Sequence, residues 1–109
     1  NAKRQQVANA RFHAGDVRRQ GLEKFLKGCG PHDVVILDPP RAGPIPGVIE
    51  TVADLHPGAV CHIFCNIDRA PDDLRVWSEH GYQVARAVPF DMFPGTPSIE
   101  LLAVLKPAV

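Results

Sequence analysis

A surplus of charge of either sign is absent from this sequence: 12 lysines and arginines balance 12 aspartates and glutamates. No surface is therefore expected to hold a polyanion by charge alone, and any nucleic-acid affinity must be local or supplied elsewhere. Long apolar runs are missing too. The longest, residues 34–37 and 101–105, fall far short of the roughly 20 residues a membrane helix needs, and no charged-then-apolar leader opens the chain. The expected setting is soluble and cytoplasmic, with no membrane partner. Cysteine is sparse: Cys29, Cys61 and Cys65 are an odd number without framework-like spacing, which argues against a disulfide scaffold and for reduced thiols. Cys61 and Cys65 lack a second ligand pair that His32 or His62 could complete, so no metal is expected. Aromatics make up only 6% of the chain, and Trp77, Phe90 and Phe93 read as core or loop anchors before base-stacking platforms.

What is present is one modest core. At 109 residues and 45% hydrophobic content, the chain is one domain or part of one. It opens at Asn1 without methionine, inside a stretch over residues 2–8 that reads as the tail of a helix, so a piece of a longer protein is expected. Apolar runs then alternate with amphipathic stretches, the pattern of a parallel sheet with crossover helices. Strands are expected over residues 10–14, 33–37 and 59–64. The 33–37 run is apolar on both faces, as a strand in the middle of a covered sheet would be. Helices are expected over residues 17–27, over 48–55, and from Pro71 to the stop at Gly81. Residues 82–88 and 99–105 are two strands with no helix between them, and pair most simply as antiparallel neighbours.

In an open parallel sheet, ligands bind beyond the carboxyl ends of the strands. Asp16, Asp38, and Cys65 with Asn66 fall at such positions, and Glu100 lies near the start of the last strand. Cys65 ends a strand just before a helix N-terminus, where free amides and the helix dipole favour a thiolate; alternatively it is a small apolar residue closing the strand. Glu100 interrupts the apolar Ile99, Leu101 and Leu102. A carboxylate buried there needs a partner or a task, unless it lies on the solvated face of an edge strand. Asp38 can be no more than a turn residue before Pro39, and Asp16 no more than a helix N-cap.

The segments Asp38-Pro39-Pro40-Arg41-Ala42-Gly43, Phe64-Cys65-Asn66, Phe90-Asp91-Met92-Phe93-Pro94-Gly95-Thr96 and Ile99-Glu100 carry a family likeness. In order and spacing the chain resembles the RNA 5-methyluridine (uracil-C5) methyltransferases along essentially its whole length. It departs at Ile67, where the family carries proline, and at Ser98, where it carries histidine. The resemblance implies an α/β chain, the C-terminal part of a Rossmann-like class I methyltransferase domain, whose glycine-rich cofactor turn would lie upstream of Asn1. It implies S-adenosylmethionine as cofactor and transfer or ribosomal RNA as partner. Cys65 then matches the nucleophile that adds to carbon 6 of uracil, and Glu100 the base that removes the carbon-5 proton. Asp16 and Asp38 match cofactor-binding positions, and Asp38, Arg41 and Asn66 face the target base or its phosphate. Two alternatives remain at this point: methylation of another atom with Cys65 incidental, and a non-catalytic fragment or binding module.

Overall fold

The computed structural model describes residues 5–108 of the chain. Its elements are α1 (Arg19–Phe25), β1 (Val34–Leu37), α2 (Val48–Asp54), β2 (Ala59–Phe64), a 3-10 turn (Ile67–Arg69), α3 (Ala70–Glu79), β3 (Tyr82–Phe90) and β4 (Glu100–Pro107). The four strands form one sheet in the order β1-β2-β4-β3. β1 and β2 pair in parallel, while β4 runs antiparallel to both β2 and β3. This is the α/β architecture that the alternating pattern predicts, with the antiparallel pair at its end.

Strand alternation decides which face is filled. In β2, Val60, His62 and Phe64 are buried while the residues between them are half-buried; in β4 the inward pair is Ala103 and Leu105. Val35 and Leu37 of β1 join them, and the three helices cover this face with Leu22, Val48, Ile49, Val52 and Trp77. α3 is well founded for its place: proline stands in its first turn beside Asp72 and Asp73, where acidic side chains oppose the helix dipole, and Gly81 ends it in a left-handed conformation. Between α2 and β2 the chain passes so near the turn before β1 that a Cβ on Gly58 would collide with the Pro31 carbonyl oxygen. Tyr82 closes the bottom of the core, its hydroxyl donating to the Pro57 carbonyl at 2.7 Å.

Three expectations need correction. Of the helical stretch expected over residues 2–8, positions 1–4 lie outside the described residues, and 5–8 are turn and irregular backbone. Residues 10–14 place an apolar side chain at every second position, yet they form no strand and stand exposed, Phe12 at 83%. A strand is held by a ladder with a neighbour, and alternation alone does not supply one. β1, expected in mid-sheet, is an edge of the four-stranded sheet, with Val34 and Ile36 exposed at 60% and 68%. Its second apolar face has no covering layer among the described residues. No helix among them is long and apolar enough to cross a membrane.

Candidate active site

Because β4 is antiparallel to β2, the start of β4 lies beside the end of β2. The register pairs Ile63 with Leu102 and Phe64 with Leu101. The ladder stops there, with Cys65 the first residue past β2 and Glu100 the first of β4, so the two stand at the same end of the neighbouring strands. Both are half-buried and both line a cleft of about 300 Å³, together with Arg41, Phe93, Thr96 and Ser98. That volume stands at the lower end of small-molecule sites, which run from roughly 300 Å³ upward. The strand that carries Glu100 lies between two others, so this carboxylate is not on a sheet edge.

The far wall of the cleft is the loop between β3 and β4. It braces itself: the Thr96 hydroxyl donates to the Phe93 carbonyl at 2.7 Å and accepts from the Ser98 amide at 3.3 Å. Phe93 is 55% exposed and borders the cleft instead of anchoring the loop. The near wall is the segment after β1, which brings Arg41. It also meets the cysteine, whose thiol makes a long contact of 4.0 Å to the Pro39 carbonyl.

A larger cavity of about 460 Å³ opens on the other side of that segment, walled mainly by apolar side chains of α1 and β1, with Asp16 and Asp38 at it. Asp16 does not cap α1, whose N-cap position is Arg18 without a side-chain bond; it is exposed and pairs with Arg18 at 3.5 Å. Asp38 and Arg41, three positions apart, thus serve different chambers. Asn66 is placed apart from both. Its side-chain oxygen accepts the Asp68 amide at 3.2 Å, capping the 3-10 turn that follows the cysteine.

Sequence reasoning passed over what stands behind Cys65. His62 is wholly buried; its Nδ1 accepts the Trp77 indole N–H at 3.1 Å, and its ring stacks on Phe64 at 3.9 Å between centroids. Burial holds its pKa down at about 4, so it is neutral at physiological pH. The available signal was its parity with Val60 and Phe64. Asp73, on the first turn of α3, is also buried and pairs with Arg69 at 3.6 Å. Burial pushes its carboxyl up, and the Arg69 charge pulls it partly back.

No protein-family model matches the chain. An uncharacterized RNA methyltransferase of Caldanaerobacter subterraneus subsp. tengcongensis is 35% identical over 106 residues, covering 97% of this chain and 23% of the relative. One from Thermotoga maritima is 40% identical over 87 residues, or 79% of this chain and 20% of the relative. Among solved structures, Pyrococcus abyssi tRNA (uracil-54, C5)-methyltransferase in complex with S-adenosyl-L-homocysteine superposes with a TM-score of 0.76. It is 33% identical, and the match covers 96% of this chain and 24% of that one. The fold is accordingly part of the Rossmann-like methyltransferase fold. By sequence and by architecture the chain belongs to the RNA methyltransferase family, and it spans about a quarter of the length of the relatives it matches.

Proposed function

We propose that this chain carries the methyl-accepting side of the active site of an S-adenosylmethionine-dependent enzyme that methylates carbon 5 of a uridine in transfer or ribosomal RNA. One observation carries the reading: Cys65 and Glu100 border a single cleft from adjacent strands, with Arg41 at its wall. A flat pyrimidine in that cleft would meet the thiol and the carboxylate together. The larger cavity fits part of the cofactor. Its apolar walls suit an adenine ring, and the carboxylates of Asp16 and Asp38 can accept from amine or hydroxyl groups. When bound, S-adenosylmethionine supplies an electrophilic methyl group.

Carbon 5 of uracil is too weak a nucleophile to take that group unaided. Cys65 adds as thiolate to carbon 6, and the electron pair of the 5,6 double bond is released toward carbon 5, which then carries the nucleophilic charge. Transfer of the methyl group to carbon 5 would break its bond to the cofactor sulfur, leaving S-adenosylhomocysteine, and carbon 5 would then bear one proton too many. Glu100 accepts that proton, the double bond re-forms, and the bond from carbon 6 to sulfur breaks to restore Cys65. Arg41 can donate to a uracil oxygen or a backbone phosphate. With no net charge to draw in RNA, most of the affinity for it is expected from other parts of the enzyme.

The test uses the intact enzyme. Cys65→Ser should abolish methyl transfer and the covalent trapping of RNA containing 5-fluorouridine, whereas Glu100→Gln should still form the adduct and stall before release. Full activity of Cys65→Ser would overturn the mechanism in favour of direct methylation at another atom.

A further inference from the structure

Beneath the Cys65 turn lies a void of about 10 Å³, bordered by the 39–43 loop and Cys65 and backed by His62, Arg69 and Asp73. Three of these residues each carry a buried polar atom with no partner within the described residues: His62 Nε2, Arg69 Nε and Asp73 Oδ2. Their chemistry is complementary. His62 Nδ1 accepts from Trp77, so the neutral ring carries its proton on Nε2. The residues that line this space, the size of one water, thus carry two unpartnered donors and one unpartnered acceptor, and a water can accept two hydrogen bonds and donate one.

Arg69 also joins the two loops that flank the cleft. Its guanidinium lies so close against Gly43 that a Cβ at that position would stand 2.9 Å from Nη2 and 3.0 Å from Nε, and Gly43 has a φ of +86°, which L side chains rarely adopt. Behind it, Asp73 Oδ1 holds Nη2 at 3.6 Å, and the Asp73 side chain is only 8% exposed. Arg69 lines neither the 300 Å³ cleft nor the 460 Å³ cavity. Whatever it contributes is transmitted through Gly43 and the Cys65 turn.

We propose that Arg69, held by Asp73, is a positioning residue that clamps the 38–43 loop onto the Cys65 turn, with one water shared by Arg69, Asp73 and His62 completing the clamp. Arg41 and Cys65 are thereby kept on the same cleft. The clamp itself does not depend on the chemistry of Cys65; its effect on methyl transfer rests on the function proposed above.

The experiment reads the clamp without reference to methylation. Iodoacetamide alkylation of Cys65 is followed by site-resolved mass spectrometry, at pH values high enough for the rate to be limiting, with Cys29 and Cys61 as internal references. Hydrogen exchange of the amides at 41–44 is followed in parallel. Arg69→Ala should raise both rates about tenfold, the size of coupling expected between groups in direct contact. Arg69→Lys, which keeps the charge and loses the flat guanidinium, should recover only part of the protection. Gly43→Ala should loosen the loop further than loss of the Arg69 contact alone, because its positive φ strains any side chain there, and serves as the upper reference for both rates. Should Arg69→Ala not fold, Arg69→Lys and Arg69→Gln read the same two rates. Unchanged alkylation and exchange in folded Arg69 variants would overturn the clamp. Raised rates with undiminished methyl transfer would leave the clamp standing and count against Cys65 as nucleophile, so the two ideas fail separately.

Discussion

The two parts of the chain that border the candidate site are built to different standards. From β2 through β4, the residues behind Cys65 are packed and bonded: Trp77 is fully buried, its indole N–H satisfied by a buried histidine, and the Tyr82 hydroxyl is satisfied by the Pro57 carbonyl. Residues 5–18, which bring Asp16 to the larger cavity, have no regular structure and are exposed throughout. The nucleophile candidate thus stands on a fixed platform, and one of the two cofactor candidates stands on a segment with little burial of its own. Reactive groups need angstrom-level placement in the resting protein, whereas a binding group can be ordered by what it binds.

The comparison is broken most severely at its packed side. Trp77→Ala removes the largest buried side chain and orphans His62 Nδ1, and should cost about 3–5 kcal/mol, read from the denaturant midpoint of unfolding. A loss under about 1 kcal/mol would show that the platform is not fixed by this pair.

Acid should act on the same side. Folded His62 resists protonation down to about pH 4, while in the unfolded chain it titrates near the ordinary value of 6.5. Its stabilising contribution is therefore complete above about pH 6.5, declines as the pH falls through the window to about 4, and levels off below that, for a total of about 3 kcal/mol. Asp73, whose folded carboxyl is raised, works in the opposite sense at the acid end, because the folded state takes up its proton first. Unfolding midpoints at pH 7 and pH 4.5 should differ in the wild type and converge in His62→Gln. Equal shifts in both would assign the acid loss to other groups.

The smallest effect belongs to the open side. Asp16→Ala should alter stability by no more than about 0.5 kcal/mol, since the carboxylate is exposed and its partner Arg18 is too. Its signature is expected instead in calorimetry of the intact enzyme, as weaker binding of S-adenosylhomocysteine. Unaltered binding would remove Asp16 from the cofactor site.

What was legible in the sequence follows the same divide. The strands at 59–64 and near 82–90 and 100–107, and the helices around 48–54 and 70–79, are announced by apolar periodicity and by Pro71 and Gly81, because the packing that holds them leaves that imprint on composition. Residues 10–14 carry a strand-like alternation, but pairing is decided by neighbours that local pattern does not name. That Asp38 stands at a cavity could be anticipated from its place at a strand end, whereas the separation of Arg41 into a different one could not. The Arg69–Asp73 pair could not either: at i and i+4 it looks like any solvated ion pair on a helix, and only the approach of Gly43 and β2 sets its half-exposed guanidinium against a buried carboxylate. The capping bond of Asn66 was missed for a related reason. Asparagine beside a candidate nucleophile invites a substrate role, while the same side chain is also among the preferred caps for a helical start.

The short segment between Asp38 and Arg41 has one further implication. Pro39 and Pro40 each have a ring that fixes φ near −65°, so few torsions separate the acid in one chamber from the guanidinium in the other. Under the function proposed above, the pair is a strut of set length between the cavity assigned to the methyl source and the cleft assigned to its destination, a spacing that neither ligand has to establish by arriving.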